Sequence, residues 1–424
     1  MLSKSALLVA TAAVPAFLIA GEASAQSTSN FARDRNVSVT ERIPAGYEPL
    51  GLRVGAFNVS PTLGIGAEAN DNIYYTSQGK THDMIYSVAP AISVTTDWSR
   101  HALTAKINTQ YNAFAKHSEE NTFFWDAGLG GRLDIHGHSF ATAGVDFSRN
   151  YEPRYSPNSL TSSLANDPAK PIKFDVEQFN SGLHLEGNRL LVTLGADYAN
   201  YNYFDVRANN GGLIDQDIRD YHWWSWTTRA DYAISPDTSI YLVYIGNDRK
   251  YRVSDTHDSH GYNVGIGASL DLTNLIRGDF DVGSIKQTYK NGAYKPITGT
   301  SFNANIQYFP TELTTVSFNA STSVQETPDQ LASGYLQSGT GLRVDHELLR
   351  DLRLFAGVSM TEDKYKGEDR KDNIHGINLG ANYLFSRNLS LKAQYQYNKL
   401  SSRGSAAIRS YEDNLFSVTL GLQY

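Results

Sequence analysis

The sequence predicts an all-β protein, an up-and-down antiparallel β-barrel of about 18 strands that spans a membrane, with about 16 as the alternative count. Three observations predict it. Beyond residue 53 nearly the whole chain alternates apolar and polar residues with period two. Tight turns alternate with long polar loops. The last strand ends on an aromatic residue, Tyr424. Period-two patterning marks strands with one apolar and one polar face, and short-turn, long-loop alternation is how outer-membrane barrels are connected.

Composition alone points elsewhere. The 424 residues are 41% hydrophobic and 19% charged, with a mean hydropathy of −0.39. These values fit a soluble chain of two or more domains. No apolar run of about 20 residues follows the N-terminus, which excludes a helical membrane bundle. The absence of cysteine excludes disulfide frameworks, cysteine zinc sites and thiol nucleophiles. A net charge of −7 argues against a nucleic-acid partner.

Residues 1–25 read as an export signal. Lys4 supplies the positive start, Ala6 to Ala20 the apolar region, and Ala23-Ser24-Ala25 the small-residue cleavage site. Residues 26–57 form a polar N-terminal segment, periplasmic or lumenal, and residues 58–424 the barrel. Within the barrel, Leu103, Ala105, Ile107 and Tyr111 alternate with Thr104, Lys106, Asn108 and Gln110. Tyr262, Val264, Ile266, Ala268 and Leu270 alternate with Asn263, Gly265, Gly267, Ser269 and Asp271. Leu389, Leu391, Ala393, Tyr395 and Tyr397 alternate with Ser390, Lys392, Gln394, Gln396 and Asn398. Tight turns fall at Asp97–Arg100, His136-Gly137-His138, Gly187–Arg189, Ser235-Pro236-Asp237, Thr273-Asn274 and Ser386–Asn388, rich in the residues that turns require. The longest loops are Pro153–Lys173 and Asp205–Asp220. Trp98, Trp125, Tyr232, Tyr308, Tyr383 and Tyr424 fall near strand ends, as aromatic girdles require. In the final strand Phe416, Val418, Leu420, Leu422 and Tyr424 share one face, which resembles the C-terminal signal read by the barrel-insertion machinery.

The block Tyr47-Glu48-Pro49-Leu50-Gly51-Leu52-Arg53-Val54-Gly55-Ala56-Phe57 resembles the opening of the outer-membrane β-barrel porin type 2 family of proteobacteria. Its continuation, Ser60-Pro61-Thr62-Leu63-Gly64-Ile65-Gly66 followed by Asp71-Asn72-Ile73-Tyr74, is similar too. The resemblance implies a location in the bacterial outer membrane and contact with its lipid. Because some members are encoded near exopolysaccharide genes, it adds polysaccharide as a partner. It carries over no catalytic residue.

If the apolar positions face lipid, the inward, pore-lining set includes Glu68, Lys106, Arg132, Asp146, Glu186, Arg229, Asp231, Arg343, Asp345 and Lys392. One reading is a charged constriction that orients anions or saccharides. The favoured reading is that these charges neutralise one another and tie strands together. An 18-strand barrel is wide enough for an aqueous channel unless something fills it. The candidate plugs are Pro153–Lys173, Asp205–Asp220 and Gln26–Arg53. Tyr201, Tyr203, Trp223 and Trp224 are candidates for a sugar-stacking track, although girdle or packing is the favoured role.

Three functions follow. The first is a passive channel for hydrophilic solutes or exported polysaccharide. The second is a plugged structural or surface-binding barrel. The third is a barrel hydrolase using Asp255-Thr256-His257-Asp258-Ser259-His260, where an Asp–His pair would activate water or a hydroxyl. Adjacent residues on one loop rarely converge as catalysis requires, so no enzyme is expected. No cofactor or metal is expected either, since the turn at His136 and His138 offers no further ligands.

Overall fold

The computed structural model describes residues 37–272, 275–329 and 331–424. The export signal predicted over residues 1–25 and the turn at Thr273-Asn274 lie outside the described residues. Eighteen long strands form the barrel. They are β1 (Phe57–Asn70), β2 (Asp83–Thr96), β3 (Ala102–Phe114), β4 (Thr122–His136), β5 (Ser139–Tyr151) and β6 (Lys173–Glu186). Then follow β7 (Leu190–Tyr203), β8 (Tyr221–Ser235), β9 (Thr238–Tyr251), β10 (Ser259–Leu272), β11 (Ile276–Tyr289) and β12 (Ile297–Thr311). The last six are β13 (Thr314–Gln325), β14 (Gly334–Leu349), β15 (Leu352–Lys366), β16 (Lys371–Ser386), β17 (Leu389–Arg403) and β18 (Tyr411–Gln423).

Each strand pairs antiparallel with its sequence neighbour, and β18 closes on β1 from Thr62↔Gln423 to Asn70↔Leu415. Closure removes the two edges that would otherwise expose unpaired backbone groups. Among the described residues helical structure is limited to three-residue 3₁₀ turns such as Asp255–His257. The strands run from 12 residues in β13 to 16 in β14 and β16. Their pairing continues past the lipid-facing band into the bases of the loops.

The side-chain period of two, held in register around the barrel, sorts every strand into an outer and an inner face. The outer face carries Ile107, Leu129, Leu242, Ile266 and Val358, all more than half exposed in the isolated chain. In outer-membrane barrels this is the face that lipid covers. Phe416, Val418, Leu420, Leu422 and Tyr424 lie on this face too, and so do Trp125, Tyr232, Tyr308 and Tyr383. The inner face is built from Asn, Ser, Thr, Gln, Gly and charged residues, with aromatic rings such as Phe140, Tyr241 and Phe355 set among them. All short turns and both ends of the barrel chain lie at one rim, and all long loops at the other.

Two inner-face glycines are required by close approach. A Cβ on Gly267 would lie 2.4 Å from Cζ of the Tyr241 ring, and one on Gly380 would lie 2.4 Å from Cζ of Phe355. Each aromatic ring lies across the bare backbone of a neighbouring strand. Gly267→Ala and Gly380→Ala are therefore expected to cost about 1–3 kcal/mol each, the usual penalty of overpacking. Urea unfolding in lipid vesicles measures this, and a loss no larger than that of Gly339→Ala, where the nearest side chain is 3.6 Å away, would count against it.

Candidate functional site

The lumen is the candidate site, and its wall is organised around one repeated arrangement. On β4, β8 and β14 an arginine is followed two residues later by an aspartate, as Arg132/Asp134, Arg229/Asp231 and Arg343/Asp345. The arginine donates to the aspartate at 2.7 Å in every case. Directly opposite each aspartate, on the next strand, stands an aromatic residue: Asp134↔Phe140, Asp231↔Tyr241 and Asp345↔Phe355. The guanidinium reaches diagonally over that ring, with Cζ 3.8, 3.6 and 4.6 Å from the centroid. The aspartate orients the arginine, the arginine covers the ring, and the ring rests on the strand beyond: Phe140 on His184, Tyr241 on Gly267, Phe355 on Gly380. Cation–π contact and a charge-assisted pair thus link successive strands across the inner wall.

Of the other inward charges predicted from sequence, Lys106 and Glu186 have charged partners. Lys106 bridges Asp146 at 2.9 Å and Asp126 at 3.6 Å, joining β3, β4 and β5. Glu186 lies 3.8 Å from His184. Glu68 faces inward on β1. Lys392, on β17, extends its ammonium to 5.4 Å from the Phe355 ring. The pairing Arg229/Asp231 and Arg343/Asp345 was visible in the i,i+2 spacing. Asp126, Asp134 and the aromatic partners were not singled out, and the signal that finds the latter is an aromatic residue facing the aspartate across each short-turn hairpin.

Chain segments enter both mouths. At the long-loop end the loop 152–172 runs inward from between β5 and β6. Leu160 is buried with Tyr75, Leu400 and Tyr411. Asn158 donates to the Glu326 carbonyl at 3.5 Å, and Arg370 to the Pro157 carbonyl at 3.3 Å. Asp167 pairs with Arg409. Glu326 belongs to the loop between β13 and β14, nearly opposite on the circumference, so the loop 152–172 crosses the mouth. Its base is fixed by Arg154–Glu120 and by a buried two-bond pair, Arg219–Glu152, at 2.9 Å. The loop 204–220 behaves differently from its candidacy as a plug. Its Val206–Arg207 and Leu213–Ile214 pair as a small hairpin, and Asn209 and Asn210 donate to the carbonyls of Asp167 and Ala165. It braces the crossing loop.

At the short-turn end, Ser38–Arg42 forms a turn inside the rim. Val39 is fully buried, and its N–H donates to Thr315 Oγ1 at 3.0 Å. Arg277 donates to Glu41 at 2.7 Å, and Arg42 lies 3.4 Å from Glu347 and donates to the Glu312 carbonyl. Arg353 donates to the Arg42 carbonyl. These partners come from β11, β13, β14, β15 and the turn before β13, so one short segment spans that side of the mouth.

Beneath the long loops lie inward tyrosines in close pairs. Tyr201 stacks on Tyr221 at 4.5 Å, Tyr335 on Tyr365 at 4.8 Å, and Tyr75 meets Tyr411 edge-on at 4.9 Å. Burial, and then the nearby Asp413 carboxylate, holds the Tyr75 hydroxyl well above its ordinary pKa, which keeps it neutral. The proposed sugar-stacking set does not assemble. Trp224 faces outward and is half exposed, while Tyr203 stacks on Phe174 under the Arg219 guanidinium.

The residues of Asp255–His260 diverge as well. His257 is buried and its Nε2 is 3.2 Å from the Ala332 carbonyl; burial lowers its pKa. Asp255 pairs with Lys290 at 2.7 Å, Ser259 accepts from Gln287, and His260 points to the outer face. No nucleophile meets a base. Among the described residues one carboxylate set converges, Asp205, Asp215 and Asp217, with ligand atoms within 4.8 Å and all three exposed.

The family model described as "Putative beta-barrel porin 2" matches residues 44–424. The chain belongs to this family. Membership indicates an outer-membrane β-barrel porin and points to a channel rather than an enzyme. No curated protein matches the chain. Among solved structures it is similar to Pseudomonas aeruginosa OpdL, at 14% identity and TM-score 0.44, over 87% of this chain and 99% of that one. It is also similar to opdK from the same organism, at 10% identity and TM-score 0.46, over 87% and 99%. OccK2 (OpdF), also from P. aeruginosa, matches at 11% identity and TM-score 0.46, over 87% and 98%.

Proposed function

We propose that this porin is a passive channel for small hydrophilic solutes, narrowed at each mouth by its own chain. The observation that carries the reading is the inner wall. It is lined mainly by polar and charged side chains, and those at mid-height, Lys106 and Arg343, keep about half of their surface open to solvent, at 50% and 45%. An inner wall meant only to be packed would bury them. The reading takes residues 1–25 as the export signal and the outward residues Phe416 to Tyr424 as the insertion signal. Purified protein in planar lipid bilayers is expected to give discrete conductance steps in potassium chloride. Folded protein with no conductance would sink the open-channel reading.

A plugged structural or surface-binding barrel is the second reading, favoured by the crossing of the long-loop mouth by residues 152–172. Polysaccharide export is the polymeric variant of the first. It requires both entering segments to swing aside, so liposome swelling with sugars of increasing length separates the two kinds of cargo.

A further inference from the structure

We propose that the lumen holds a binding site for small oxyanions, carboxylates or phosphates, between Arg343 and Lys392. The proposal rests on the channel reading and adds the class of solute that the channel favours.

The inner wall carries more carboxylates than cations, yet the two signs are placed at different depths. Of the inward-facing Asp, Glu, Lys and Arg residues on the strands, three are exposed: Lys106, Arg343 and Lys392. All three are cationic. The inward carboxylates are buried or half-buried, with Asp231, Asp363, Asp372 and Asp413 at 0% exposure. A solute moving through the lumen therefore meets these three cations as the most open charges, ahead of the partly covered Asp126 and Asp146. Asp345 shows the arrangement directly. Its side chain is 7% exposed and that of its partner Arg343 45%. Salt screens charges beyond about 8 Å at physiological ionic strength, so the groups in contact with a solute outweigh those set back in pairs.

The local geometry makes a niche of this charge. Arg343 on β14 and Lys392 on β17 flank the same ring, Phe355 on β15, at 4.6 and 5.4 Å. Between them β16 contributes Gly380, over which the ring lies, and β15 contributes Gly357, directly paired with Arg343. The floor between the two cations is the Phe355 ring lying over Gly380, with the inward Asn378 and Asn382 of β16 beside it. Two cations around a flat apolar ring suit a small anion whose oxygens are held at one end. Lys106 on β3 continues the basic arc past the β18–β1 closure.

The test is the reversal potential of the intact protein in planar bilayers under a tenfold potassium chloride gradient. The wild type is expected to prefer chloride. Lys392→Glu is expected to lower the chloride-to-potassium permeability ratio severalfold, while Arg343→Lys keeps it. Lys392 is the first choice because, unlike Arg343, it is not the guanidinium that covers buried Asp345. Inorganic phosphate and acetate, added separately, are expected to reduce chloride current in the wild type and not in Lys392→Glu. Block by phosphate alone assigns the site to phosphates, and block by acetate alone to carboxylates. A wild-type preference for potassium that Lys392→Glu leaves unchanged overturns the proposal while leaving the channel intact. Should the folded protein not conduct, the channel reading fails separately. Calorimetric titration of the detergent-solubilised protein with phosphate and acetate then decides, and no binding that Lys392→Glu removes overturns the site.

Discussion

Replacing Asp231 with alanine is expected to lower the stability of the folded barrel by about 3–5 kcal/mol, the usual cost of breaking a buried ion pair on one side. Asp231 is fully buried. It accepts from Arg229 Nε at 2.9 Å and Nη2 at 2.7 Å, and Arg229 also donates to Ser269 at 2.8 Å. Alanine leaves the guanidinium over the Tyr241 ring, with a side chain only 15% exposed, and without its counter-charge. The double variant Arg229→Leu/Asp231→Ala is expected to recover most of the loss, since no uncompensated charge remains. The equivalent Asp345→Ala is expected to cost less, because Arg343 is 45% exposed and water can solvate it. Urea unfolding in lipid vesicles, followed by tryptophan fluorescence, measures all three. Equal costs for Asp231→Ala and Asp345→Ala would show that burial is not what sets the strength of these joints.

That contrast marks what the sequence could disclose. Strand number, face and turn position were legible because the period of two is written into each strand separately. Leu389 to Asn398 reveals its two faces without reference to any other segment. The arginine–aspartate pairs were legible for the same reason, since both partners lie on one strand two residues apart. Their aromatic partners were harder to see, because Phe355 meets Asp345 only through the register of a hairpin. Harder still were contacts that depend on closure of the whole barrel. Nothing local in Glu41 or Arg277 announces that they meet, and Asn158 reaches Glu326 only because β5 and β13 come to stand on opposite walls. Trp224 depends on the register in the same way. It sits beside inward Trp223 in a run of aromatics, and only the register settles which of the two faces outward.

Replacing residues 155–167 with a short glycine–serine linker is expected to raise single-channel conductance severalfold. The segment crosses the long-loop mouth and is held there by contacts that the barrel itself does not need. Its removal leaves every strand pair intact, and the ends of β5 and β6 are adjacent, so a short linker closes the gap without strain. The retained Glu152 keeps its pair with Arg219 at 2.9 Å, and Arg154 keeps Glu120, so the base of the loop stays in place. What is lost is the burial of Leu160 against Tyr75, Leu400 and Tyr411, together with the Pro157 carbonyl for Arg370 and the Asp167 carboxylate for Arg409. Arg370 keeps Asp372, and Arg409 keeps the Tyr74 and Tyr75 carbonyls. Those groups then face a water-filled mouth, where their exposure costs little of the stability that the closed strand ladder provides. A lumen of this strand number is otherwise wide enough to conduct. Unchanged conductance in a folded variant would mean that the narrow point lies at the other end. Glu41→Ala with Arg42→Ala then becomes the decisive variant, because those side chains hold the entering turn to Arg277 and Glu347. An increase from the second variant and none from the first would move the gate to the short-turn rim, and an increase from both would make the two segments resistances in series.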